Sequence, residues 1–102
     1  MTDLEMTKLC AEAMGLEVAE QLGGMRFLNT QYESSLYDPL ANDEQAMELV
    51  KRFELNVQGP TYVIPPRWHV WRKGDQSFTG VANVLELNRA ICECVANMQK
   101  GK

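Results

Sequence analysis

Apolar residues recur every three or four positions in three segments of the chain, which is the spacing of an amphipathic helix. The pattern predicts helices over about residues 3–14, 43–53 and 84–99. Their apolar stripes are Met6, Leu9, Cys10 and Ala13 in the first, Ala46, Leu49, Val50 and Phe53 in the second, and Leu87, Ile91, Cys94, Val95 and Met98 in the third. Five apolar side chains on one face of the third helix need a neighbour, and we expect a sheet there.

A capping pair precedes each predicted helix. A Thr or Asn side chain can accept a backbone N–H group of the first turn, and a Glu or Gln three residues later can reach back. The pairs are Thr2 with Glu5, Asn42 with Gln45, and Asn83 with Glu86. Gly15 follows the first helix at the position where a left-handed glycine commonly ends one.

Between the helices the pattern changes to alternation, which indicates strands joined by tight turns. Two hairpins are predicted: residues 16–20 with 25–28 around Gly23-Gly24, and residues 68–72 with 76–81 around Gly74-Asp75. Such turns favour a mainly antiparallel sheet, because parallel strands need long crossovers. Helices interleaved with strands in this way predict an α+β fold with the helices packed on the sheet.

The remaining segments give weaker signals. Residues 54–57 alternate briefly, and prolines on both sides confine residues 61–64 to a loop or an edge strand. Residues 30–41 are irregular and long for a connection in a compact domain. The predicted order of elements is therefore α-β-β-α-β-β-α.

Length and composition are those of one globular domain covering residues 1–102, since 45% of the residues are apolar and 24% are charged. No apolar run is long enough for a membrane span, and the acidic N-terminus lacks the features of a signal peptide. We therefore expect a cytoplasmic protein. The formal net charge of −4 makes nucleic acid an unlikely partner.

Two segments resemble the small phage and prophage proteins of the phage ABA-sandwich domain family. Tyr37-Asp38-Pro39 leads through Asp43 into the second helix, similar to a Y-x-P-x-x-D entry with one residue more before the aspartate. Arg89-Ala90-Ile91-Cys92 is similar to the R-A-I-C core of the family's C-terminal helix. The resemblance implies a three-layer α/β/α sandwich in the cytoplasm of a host cell, and it implies no activity or cofactor.

No constellation for catalysis or metal binding is visible. His69 is the only histidine. The sequence shows no second polar group that would orient it as a general base. Cys10, Cys92 and Cys94 suit free thiols in a reducing compartment, and the Cys-x-Cys spacing puts the last two on nearly opposite faces of a helix. Two-histidine and clustered-cysteine spacings are missing. We predict no catalytic residue, no metal and no cofactor.

Aromatic residues outside the stripes are the better candidates for contacts. Trp68 and Trp71 lie three apart, so on one strand they point to opposite faces, and an open face would expose one of them. Tyr37 and Tyr62 lie in segments with the composition of loops, where tyrosine suits binding surfaces. Arg89 carries a charge that packing does not need, and it can pair with Glu93 or contact a partner. The candidate partner contacts are Arg89, Trp71, Tyr62 and Tyr37.

These observations favour a non-enzymatic phage or prophage accessory protein that binds another protein, such as a host or defence component. The alternative is a small ligand-binding domain or enzyme whose site is assembled from distant residues. A third hypothesis is a nucleic-acid binder that uses Arg67, Arg72 and Lys73. The identity of the protein partner and the oligomeric state stay open.

Overall fold

Three helices and two groups of short antiparallel strands make up the part of the chain that the structure describes. This structure is a computed structural model, and it describes residues 1–16, 18–21, 24–27, 36–59, 67–83 and 86–101. In chain order the elements are α1 (Asp3–Ala13), β1 (Val18–Gln21), β2 (Gly24–Phe27), β3 (Leu36–Tyr37), α2 (Asp43–Phe53), β4 (Leu55–Gln58), β5 (Arg67–Arg72), β6 (Asp75–Asn83) and α3 (Leu87–Lys100). The predicted α+β class with antiparallel pairing is confirmed.

The number of strands between the helices differs from the prediction. The predicted order has two strands in each interval, whereas the described residues form three in each, in two sheets of order β1-β2-β3 and β4-β5-β6. β3 is only two residues long, so no alternation could reveal it within residues 30–41. β4 overlaps the brief alternation at residues 54–57, which the predicted order leaves out, but begins at Leu55 because Glu54 caps α2.

The N-cap bond is present in two of the three predicted capping pairs, and Gln45 accepts the N–H of Asp38 at 2.7 Å. The Thr2 side chain accepts the N–H of Glu5 at 3.1 Å, and the Asn42 side chain accepts the N–H of Gln45 at 3.0 Å. The prediction for the third helix is wrong, since α3 begins at Leu87 and its N-cap residue makes no side-chain capping bond. Asn83 instead ends β6, where it pairs with Arg67.

Helix α3 forms the centre of the core. Its predicted stripe is buried at Ile91, Cys94, Val95 and Met98 and half-buried at Leu87. Cys92, predicted to lie off this stripe, is also fully buried. The reason is that α3 has α1 on one side and β6 on the other, so a single apolar stripe understates how much of the helix is covered.

The close packing of α3 on the second sheet depends on small residues. A Cβ atom at Gly80 of β6 would overlap the backbone carbonyl of Ala90 in α3. Glycine therefore lets the helix backbone rest directly on the strand. The face of β6 that carries Gly80 therefore packs against the core, and so does the same face of the second sheet.

No helix within the described ranges is long and apolar enough to cross a bilayer.

Candidate functional site

The second sheet has one face toward the helices and one face away from them. Directly paired residues in an antiparallel sheet share a face, and neighbours along a strand alternate. Val70 pairs with Gly80, so both face α3, whereas Trp71 pairs with Asn56 and with Thr79 on the opposite side. We call the opposite side the Trp71 face; its described side chains are Asn56, Gln58, Arg67, His69, Trp71, Thr79, Val81 and Asn83.

Burial differs between the two faces where α3 packs, although Val57 at the edge of the helix side is 38% exposed. Val70 and Ala82 on the helix side are 0% and 7% exposed. On the Trp71 face none of the eight described side chains is buried: Asn56, His69, Trp71 and Val81 are half-buried and the others are exposed. An antiparallel sheet with one packed face and one solvated face gives this contrast.

The centre of the Trp71 face is aromatic and its rim is polar. His69 and Trp71 follow each other on the outward side of β5, with Val81 beside His69 on β6. Asn56 and Gln58 flank the same two rings from β4. An aromatic ring surrounded by amide and hydroxyl groups is typical of the residues that anchor protein interfaces.

The charge of the Trp71 face is opposite in sign to that of the whole chain. Arg67 is exposed at one end of the row on β5, and Lys73 is exposed in the turn two residues after Trp71. The eight described side chains of this face include no carboxylate, and Glu54 lies opposite Lys73 just beyond them, whereas the chain has a formal net charge of −4.

The structure divides the four predicted contact residues. Trp71 lies on the Trp71 face, and the predicted separation of Trp68 from Trp71 by strand alternation is confirmed. Tyr62 lies outside the described residues. Tyr37 and Arg89 lie elsewhere in the molecule and have roles within the fold.

Tyr37 belongs to the core and not to a loop surface. It is 3% exposed and part of the buried core, and β3 pairs it with Met25 in the first sheet. Burial raises the pKa of its phenol, and the nearby Cys10 and Cys92 thiols act in the same direction. A side chain buried this deeply can contact a partner only if its surroundings unfold.

Arg89 is engaged in an ion pair that the sequence did not indicate. Its Nη2 lies 2.7 Å from Oδ1 of Asp3 in α1, and its Nε lies 3.8 Å from Oε1 of Glu86. The hydrogen bond with Asp3 raises the pKa of the Arg89 guanidinium. The ion pair with Asp3 links α3 to α1, and the charge of Glu93, the predicted partner, acts on the same guanidinium.

The three thiols are free and buried on two sides of α3. Cys10 donates a hydrogen bond to the carbonyl of Cys92 at 3.4 Å, and Cys94 donates one to the carbonyl of Phe78 in β6 at 3.6 Å. Hydrogen bonding with Cys92 and burial raise the pKa of Cys10, and burial raises that of Cys94 to about 11. Thiols held neutral in this way are unreactive and serve packing.

Within the described ranges no three His, Cys, Asp or Glu side chains are grouped so that they could hold a metal ion. His69 is separated from the thiols, because it lies on the Trp71 face while Cys94 lies on the helix side of the sheet. The arrangement therefore offers stacking, hydrogen bonding and charge for binding a partner.

Comparison with protein-family models, with curated proteins and with solved structures gave no match to this chain.

Proposed function

We propose that this chain is a non-enzymatic accessory protein of a phage or prophage that acts in the host cytoplasm by binding another protein through the Trp71 face. The observation that carries the proposal is the half-buried Trp71 at the centre of a sheet face that has no fully buried side chain among those described. Tryptophan is one of the residues enriched at the energetic centres of protein interfaces.

The positions of the described helices support this assignment. α2 and α3 contact the second sheet from the side of Leu55 and Val70, and α1 packs on α3. In the three-layer arrangement that the family resemblance implies, helices would lie on both faces of a sheet. The Trp71 face is where a further layer, or a partner, would pack.

The entry to α2 contacts α3 at the residue that precedes the second segment of the resemblance. The Asn88 side chain, next to the Arg89-Ala90-Ile91-Cys92 segment, donates to Oδ1 of Asp43 at 2.8 Å. It also lies 3.4 Å from the carbonyl of Leu40 in the entry to α2. This contact supports reading the two motifs as one structural unit that ties α2 to α3.

Affinity capture from host lysate tests the proposal with the wild-type chain, Trp71→Ala and Met47→Ala. Met47 is the matched control, because it is an apolar side chain 45% exposed on α2, away from the Trp71 face. We expect the same protein to be retained by the wild type and by Met47→Ala, and lost by Trp71→Ala. Equal retention by all three chains, or loss with Met47→Ala alone, would contradict the proposal.

A further inference from the structure

The outward side of β5 carries a row of residues with a regular chemical order. Arg67, His69 and Trp71 occupy alternate positions on the strand, and Lys73 follows in the turn. Alternate residues on a strand lie about 7 Å apart, so Arg67 and Trp71 are separated by roughly 13 Å with His69 between them. Lys73 lies past the end of β5 and past the register shift at Trp71 and Arg72.

From this order we infer that the Trp71 face binds an acidic protein segment that has anionic side chains near both ends and apolar side chains at its centre. The inference rests on the proposed function and deepens it by naming the chemistry of the partner. Acidic side chains would meet Arg67 and Lys73, which are both exposed. Apolar side chains would cover Trp71, which is half-buried.

The charge distribution makes an acidic segment the fitting occupant. Arg67 is the one fully charged side chain among those described on the Trp71 face, and it is a cation. Glu54 lies opposite Lys73, since the pairing of Leu55 with Arg72 continues in the bond from the N–H of Lys73 to the carbonyl of Glu54 at 3.0 Å. Its exposed carboxylate is therefore the anionic neighbour of Lys73, whereas Arg67 pairs with Asn83 and has no described carboxylate opposite it.

A protein segment suits the molecule better than single-stranded nucleic acid. Nucleic acid carries a negative charge at every nucleotide and is repelled over long range by a chain with a net charge of −4. A protein segment can place its carboxylates at the ends and apolar side chains over Trp71, whereas a nucleic acid carries a phosphate at every nucleotide. The Trp71 and His69 rings would stack with either ligand, so the charges decide between them.

The test is an NMR titration of the isotope-labelled wild-type chain with the synthetic hexapeptide Glu-Glu-Leu-Leu-Glu-Glu. The Trp71 indole N–H signal is assigned from the spectrum of Trp71→Phe. We expect saturable shifts of this signal and of β5 amides. The same peptide with glutamine in place of glutamate loses its ion pairs. Because each exposed ion pair contributes little, we expect it to bind only about tenfold more weakly.

Charge-reversed variants check the assignment of the two cations. Arg67→Glu and Lys73→Glu should each weaken binding of the acidic hexapeptide several-fold, and added salt should weaken binding to the wild type. Arg52→Glu, which makes the same charge change at an exposed site on α2, is the matched control and should bind as the wild type does.

Three results would overturn the inference: no binding of the acidic hexapeptide, equal binding of the glutamine peptide, or tighter binding of a hexamer of thymidylate. If the acidic hexapeptide does not bind but a host protein is captured in a Trp71-dependent way, the proposed function still stands. Failure of that capture would remove both.

Discussion

Single buried side chains make the stability of this fold sensitive to alkaline pH. The Cys94 thiol, with an ordinary pKa of 9.0, is raised to about 11 by burial, and the pKa of Cys10 is raised in the same direction. Above pH 9 the unfolded chain releases these protons while the folded chain keeps them. The stability due to neutral thiols is therefore complete below pH 9 and lost as the pH rises toward 11.

Urea unfolding at a series of pH values measures this loss. We expect the free energy of unfolding to fall between pH 9 and 11, with a share on the order of 2 kcal/mol from Cys94. Cys94→Ala should show a smaller decrease over the same interval, whatever its stability at pH 7. A wild-type stability that is constant or rises over this range would contradict the buried neutral thiols.

Ile91 and Arg89 test which side of α3 faces the core. Ile91 is 1% exposed, so Ile91→Ala should lower the free energy of unfolding by about 2–5 kcal/mol. Arg89→Ala removes a partly exposed ion pair with Asp3 and should cost about 1 kcal/mol or less. Denaturant unfolding of the two variants gives both values, and the reverse ranking would mean that the helix is turned the other way.

At the scale of elements, the contact of α3 with β6 is the least tolerant of change. Gly80→Ala would place a methyl group inside the carbonyl of Ala90, so the helix must shift from the sheet. We expect a loss of about 3 kcal/mol or more in thermal or denaturant unfolding, the upper range for an overpacked core.

Gly59→Ala is the matched control for that substitution. A Cβ at Gly59 first meets the Trp68 ring at 3.4 Å, which is an ordinary contact. Its stability should stay within about 1 kcal/mol of the wild type. Equal effects of the two alanines would show that α3 does not lie on Gly80.

The elements that the sequence predicted well are those with a strong periodic signal or a side-chain cap. α2 begins and ends where predicted, because Asn42 caps it and its apolar stripe is regular. α3 begins later than predicted, because Asn83 is still paired with β5 as the last residue of β6 and cannot cap the helix. β3 depends on pairing with β2, which no local pattern records.

For the whole molecule, local pattern determines which side chains share a face but not which face is covered. Strand alternation placed Trp68 and Trp71 on opposite sides of β5. The choice of Trp71 as the outward residue follows from Gly80, whose missing side chain admits α3 on the other face. Likewise, the contact of Arg89 with Asp3 joins residues 86 positions apart and has no signal in the sequence.

The dissociation constant of the captured protein tests the central claim that the Trp71 face is a protein-binding surface. The wild type, Trp71→Ala and Met47→Ala are immobilised in turn, after unfolding curves show that all three are folded. We expect Trp71→Ala to weaken binding about 30-fold or more, as for a residue at the centre of an interface, and Met47→Ala to change it less than about twofold. A dissociation constant that Trp71→Ala leaves unchanged would contradict the claim.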